Sequence, residues 1–148
     1  MHRTVLVFGS SRGNTKLVAN RVAETFSQPV DVIPAGEVLD AGFFAPYDIC
    51  LFFASTWGDG ELQDEMESLF VRMRLNLVGK RFAICELGNY YGYDDFEFGA
   101  LRIMQHFLDA SGGEELIEPF CMDSLPKKDW LGLSRWVAAL ETKLKALP

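Results

Sequence analysis

Four short runs of this sequence are mostly apolar and rich in β-branched or aromatic residues: 4–9, 29–33, 48–54 and 80–87. A strand with one wet face alternates apolar and polar residues; continuous apolar runs belong to strands covered on both faces. A fifth, weaker run spans 115–121. Helical patterns fall between them. Residues 14–27 carry Leu17, Val18, Val22 and Phe26 on one stripe, and 62–75 carry Leu62, Met66, Leu69, Phe70 and Met73. Residues 96–111 carry Phe98, Leu101, Met104, Phe107 and Leu108, and 127–147 carry Trp130, Leu133, Trp136, Val137, Leu140, Leu144 and Leu147. Strands alternating with helices predict an α/β fold: a doubly wound, five-stranded parallel sheet with helices on both faces and strand order 2-1-3-4-5. The 148 residues show no repeat or linker, so one domain over 1–148 is expected.

Charge and cysteines narrow the function. With 21 acidic against 14 basic residues, the net charge is -7. That disfavours nucleic acid and anionic membrane, which need a basic face, and suits a basic protein partner. No apolar run approaches the ~20 residues of a membrane span. The N-terminus enters a strand-like run directly, so no leader is expected. Cys50, Cys85 and Cys121 lie far apart in apolar runs without ligand spacing, so they read as buried thiols rather than metal ligands. A reducing cytoplasm fits them.

In a sheet of this order, ligands bind beyond the carboxyl ends of the strands, where the order reverses. The loops after strands 1, 3 and 4 should therefore carry the chemistry. The first, G-S-S-R-G-N-T from Gly9 to Thr15, opens a helix whose free N–H groups and dipole favour an anion. Ser10, Ser11, Asn14 and Thr15 add side-chain donors, and Gly13 lets the backbone wrap closely. The spacing is neither G-x-x-x-x-G-K-[ST] nor G-x-G-x-x-G. Its bland alternative is a helix cap and nothing more. The second, A-S-T-W-G-D-G-E-L, places Trp57 between a hydroxyl pair and two glycines, as a core plug or a stacking surface. The third, L-G-N-Y-Y-G-Y-D-D-F, holds Tyr90, Tyr91 and Tyr93 in a glycine-framed loop. Two aromatic loops facing one crevice can sandwich a planar ring. A phosphate cradle with aromatic walls points to a planar ring bearing a phosphate.

These residues closely resemble flavodoxins along essentially the whole chain. Gly9 to Thr15 looks like the family's phosphate loop, Ser55 to Gln63 like the loop that stacks a tryptophan on flavin, and Gly88 to Tyr93 like the loop whose tyrosine stacks on the other face. The resemblance implies a flavodoxin-like fold and bound FMN. It implies FMN contacts from Ser10, Ser11, Arg12, Gly13, Asn14 and Thr15, from Ser55, Thr56, Trp57, Gly58, Asp59 and Gly60, and from Gly88, Asn89, Tyr90, Tyr93, Phe96 and Phe98. Trp57 and Tyr93 are the implied ring walls. Arg12 stands where the family usually has threonine, and Asn89 where aspartate is usual. The insertion that long-chain members carry in the last strand is missing, so the chain resembles a short-chain flavodoxin with a long-chain-like third loop.

The implied function is soluble, one-electron transport in the cytoplasm, by a monomer that is not itself an enzyme; the redox chemistry belongs to the cofactor. No catalytic residue or metal is expected, and His2 and His106 are isolated. Asp59, Glu61, Asp64, Glu65, Glu67, Asp94, Asp95 and Glu97 crowd the ring side. They read either as ordinary helix-start charges or as an acidic rim on which basic redox proteins dock, with a flavodoxin/ferredoxin-NADP reductase as donor. Competing functions are an FMN-dependent reductase and a flavoprotein activator of a partner enzyme such as ribonucleotide reductase.

Overall fold

The computed structural model describes residues 2–57, 61–88, 99–123 and 127–148, with Trp57 given by its backbone alone. Along the chain, β1 (Thr4–Phe8) leads to α1 (Asn14–Thr25) and β2 (Val30–Pro34). Two short 3-10 turns, Ala35–Glu37 and Ala41–Phe44, precede the long strand β3 (Ile49–Trp57). Then come β4 (Glu61–Leu62), α2 (Asp64–Arg72), β5 (Arg81–Gly88), α3 (Gly99–Ala110), β6 (Glu114–Glu115), β7 (Phe120–Asp123) and α4 (Trp130–Lys145).

The sheet order is β2-β1-β3-β5-β6, with β7 also pairing with β5 and β4 pairing with β3. Counting β6 and β7 as two parts of one broken strand, this is the expected 2-1-3-4-5 order, with parallel pairing throughout. Two differences from the sequence reading stand out. The fifth strand, expected unbroken over 115–121, is interrupted: Leu116 N–H still reaches Phe82 O at 2.8 Å, while in the gap Glu118 O accepts from Trp136 Nε1–H of α4 at 2.8 Å instead of from a strand. The two-residue β4 pairs antiparallel with the end of β3, an addition that its short sequence did not signal.

The central strands are continuous apolar runs because each face meets a helical layer. One layer of core holds Val5, Val7, Cys50, Phe52 and Ala54 against α2 and α3, where Phe70 and Phe107 stack at 5.6 Å. The other holds Leu6, Phe8, Ile49, Leu51 and Phe53 against α1 and α4, where Val18, Val22, Trp136 and Leu140 pack. Each of the Val, Leu, Ile and Phe side chains among them contributes about 1.5–3 kcal/mol through its burial. On α1 the stripe is displaced from the expected one. Leu17 is 52% exposed, and Thr15, Val18, Ala19 and Val22 are the buried residues. Thr15 and Ala19 keep the 3.6-residue spacing with Val18 and Val22, whereas Leu17 falls on the outer side.

Candidate functional site

β1, β3 and β5 run side by side with Phe8, Phe53 and Cys85 in register, so the chain leaves all three at one sheet edge. Gly9 N–H donates to Phe53 O at 2.9 Å and carries the alignment one residue past β1. Beyond it the chain turns through Ser10–Arg12 into Gly13. Gly13 has φ +88°, the left-handed region, and an added Cβ would meet nothing within 4 Å. Backbone conformation, not crowding, selects glycine here.

Helix α1 then starts without a side-chain cap among the described residues and with no acid in its first turn. The starts of α2 and α4 are capped by side chains. Gln63 Oε1 accepts from Met66 N–H at 3.0 Å at the head of α2, where Asp64, Glu65 and Glu67 fill the first turn. Asp129 Oδ1 accepts from Gly132 N–H at 2.9 Å at the head of α4. Among the described residues, nothing caps the positive end of α1, a setting that suits an anion.

The serines carry a directional signal. Ser10 Oγ accepts from Gly13 N–H at 3.0 Å, and Ser11 Oγ accepts from Gln63 Nε2 at 3.1 Å. A hydroxyl has one proton, and neither bond uses it, so both serines keep a donor for a further partner. Asn14 is half-buried and Thr15 buried at 2% exposure, while Arg12 is exposed. This set of neutral donors around an uncapped helix start fits a phosphate monoester.

The second loop starts from the end of β3. Thr56 pairs with Leu62 and Trp57 with Glu61, so β3 and β4 form the arms of a hairpin. Ser55 O accepts from Gln63 N–H at 3.0 Å, and Thr56 Oγ1 accepts from Ala100 N–H at 3.2 Å, which fixes this corner to α2 and α3. Gly88 is buried at the end of β5, opposite Asp123. The remaining expected contacts, Gly58, Asp59, Gly60, Asn89, Tyr90, Tyr93, Phe96 and Phe98, lie outside the described residues, as does the ring of Trp57.

The structure therefore brings Ser10, Ser11, Gly13, Asn14 and Thr15 together with Ser55 and Thr56. The residue that joins the two groups is Gln63, 2% exposed, which sequence reasoning passed over as a site residue. Its signal was its place immediately before the acidic run D-E-M-E, a helix start. Glutamine is not among the preferred cap residues, so the signal was weak. Gly9 belongs with it: a Cβ there would lie 2.1 Å from Gln63 Oε1. Deeper in the same edge, Glu86 is fully buried on β5, in register with Ala54 and Cys121. Burial, with this carboxylate adding to it, pushes the Cys121 thiol up to about 12.

Of the expected acidic rim, Glu61, Asp64, Glu65 and Glu67 are exposed at the head of α2. Glu65 Oε2 also accepts from Gly36 N–H at 3.1 Å, bracing the turn after β2. Asp59, Asp94, Asp95 and Glu97 lie outside the described residues. No helix among the described residues is long and apolar enough to cross a membrane, and among them no cluster of His, Cys, Asp or Glu could hold a metal ion.

The sequence profile described as Flavodoxin matches residues 6–132. A flavodoxin of Nitratidesulfovibrio vulgaris is 29% identical, the alignment covering 97% of this chain and all of that one. A flavodoxin of Maridesulfovibrio salexigens is 30% identical over 87% of this chain and 91% of its own. Among solved structures, a Streptococcus pneumoniae flavodoxin superposes with a TM-score of 0.80 at 28% identity, covering 97% of this chain and 99% of that one.

Proposed function

This chain belongs to the flavodoxin family and is an FMN-binding electron carrier, and from that premise we propose how its own residues hold the cofactor and meet a partner. Ser10, Ser11, Asn14 and Thr15, with the first N–H groups of α1, bind the phosphate. Gly13 brings the backbone in close, and Arg12 lies exposed beside them. Ser55, Thr56 and the 58–60 turn border the ring, Trp57 and Tyr93 cover its two faces, and the chain from Gly88 through Asn89, Tyr90, Phe96 and Phe98 closes that side. The observation that carries the phosphate assignment is the uncapped, acid-free start of α1 at the sheet's switch point, beside two serines whose protons are unused.

FMN supplies the redox chemistry, taking up and releasing electrons one at a time. The protein's part is to bind, orient and shield. A phosphate held by neutral donors and a helix dipole is stabilised without a fixed cation. The aromatic walls keep water from the ring faces and leave one edge for a partner. Glu61, Asp64 and Glu67 form part of a negative rim that attracts a basic redox protein, with a flavodoxin/ferredoxin-NADP reductase as donor. The working unit is one domain, a monomer in the cytoplasm, without turnover of its own.

The test is anaerobic stepwise reduction of the purified protein followed by absorbance. Carriage predicts bound FMN, reduction in two separate one-electron steps, and negligible steady oxidation of NADH or NADPH by the protein alone. Sustained NAD(P)H turnover without a partner would favour the reductase reading.

A further inference from the structure

Gln63 makes three contacts, one through its backbone and two that orient its side-chain amide. Its own N–H donates to Ser55 O at 3.0 Å, its Oε1 accepts from Met66 N–H at 3.0 Å, and its Nε2 donates to Ser11 Oγ at 3.1 Å. A backbone N–H is only ever a donor, so the atom facing Met66 must be the amide oxygen, and the amide cannot be flipped. Nε2 has no lone pair to offer, so in its bond Ser11 must accept. The proton of Ser11 is thereby excluded from this contact. Gln63 is buried at 2% exposure and Ser11 is exposed, so the polarity is set inside the protein and delivered at its surface. Gly9 makes the arrangement possible, since any Cβ there would occupy the place of Oε1.

We propose that Gln63 is a positioning residue for the phosphate: through its amide it compels Ser11 to act as a hydrogen-bond donor towards the anion. The inference rests on the reading that residues 10–15 cradle the phosphate. It also assigns Gln63 a second effect. Because its backbone is held by Ser55, the same residue ties the phosphate loop to the strand end that borders the ring, so the two halves of the site keep a fixed separation.

Gln63→Glu reverses the polarity with little change of shape. A carboxylate still caps Met66 N–H, but its second oxygen can only accept, and Ser11 turns its proton inwards. The measurement is the ratio of FMN to riboflavin affinity, by titration of the full chain stripped of flavin, in five proteins: wild type, Gln63→Glu, Ser11→Ala, their double variant and Thr15→Val. The ratio should fall about tenfold in Gln63→Glu, the worth of one hydrogen bond to a charged group. The same substitution should cost much less in the Ser11→Ala background, where there is no proton to misdirect. An equal fall in both backgrounds would mean that the added carboxylate acts by charge alone and would overturn the proposal. So would an unchanged ratio in Gln63→Glu. If Ser11→Ala and Thr15→Val both leave the ratio at the wild-type value, the cradle reading itself fails, an outcome distinct from the other two. Should Gln63→Glu not fold, the uncharged Gln63→Met serves in the same cycle. Non-additivity with Ser11→Ala supports the proposal, and additivity refutes it.

Discussion

Replacing Gly9 with alanine should cost far more than one methyl group suggests. The Cβ would lie 2.1 Å from Gln63 Oε1, 2.9 Å from Gln63 Cδ and 3.1 Å from Met66 Cβ. Gly9 cannot retreat, because its N–H is bonded to Phe53 O at 2.9 Å. The Gln63 amide is the group that yields. As it leaves, Met66 N–H loses its acceptor in a buried setting, a loss of about 1–3 kcal/mol. Residual crowding against Met66 Cβ adds about 1 kcal/mol. Alanine restricts the unfolded chain and returns about 0.4–1 kcal/mol. The net destabilisation is about 1–3 kcal/mol, or a fall of about 0.5–1.5 M in urea midpoint at a slope near 2 kcal/mol/M. The assay is urea unfolding of the flavin-free protein, followed by circular dichroism. Gly13→Ala is the control, since its Cβ enters open space and its cost of about 1–2 kcal/mol comes from the left-handed backbone alone. Asparagine, which tolerates that region, should recover part of the loss at position 13 and none at position 9. A midpoint for Gly9→Ala equal to or above wild type would refute the coupling of Gly9 to Gln63.

Thr15→Val keeps the shape of a residue only 2% exposed and deletes its hydroxyl; FMN affinity should fall by about 1–3 kcal/mol while riboflavin affinity falls far less, as read by fluorescence titration. Burial raises the Cys50 thiol to about 12 from an ordinary 9.0, and Cys121 likewise to about 12. Raised values in the folded state mean that their stabilisation is complete below pH 9 and drains away between pH 9 and 12, so urea midpoints should be flat across neutral pH on this account and fall steeply above it. Tyr47 adds to the same alkaline loss, since its hydroxyl donates to Asp31 Oδ2 at 2.6 Å and that bond raises its pKa; Tyr47→Phe should remove this part of the slope. Association with a reductase should slow as ionic strength rises towards physiological, where screening acts over about 8–10 Å, and Asp64→Lys with Glu67→Lys should slow it further at low salt; stopped-flow rates indifferent to salt would contradict docking on the rim.

The layered core was legible because it depends only on periodicity. Runs 48–54 and 80–87 became β3 and β5 within a few residues, since a strand covered on both faces reads as a nearly continuous apolar run. Run 115–121 was harder to read: in its gap Glu118 O accepts from the Trp136 indole on α4, a partner that periodicity within the run does not show. Leu17 misled because its type counted for more than its phase, and the helix turned the smaller Thr15 and Ala19 inwards. At the site, the phosphate loop announced itself through residues that act locally, namely a glycine at positive φ and hydroxyls beside a helix start. Gln63 did not, because its role arises from three partners on three separate segments, Ser11, Ser55 and Met66, and proximity of that kind is not written in spacing.

The central position of β3 bears on how the protein is made. β1 leaves the ribosome before β2 and β3, and its inner neighbour is β3: Thr4 waits for Ile49, and Phe8 for Phe53. Pairings that close such long loops come late, because the entropy of closure is spent before any contact rewards it. Gly9 has no acceptor until Phe53 arrives, and Ser11 has no director until Gln63 does. A nascent chain that stops short of Gln63 carries the whole phosphate motif in its sequence but lacks the partner that orients Ser11, so FMN capture during synthesis waits until Gln63 has emerged.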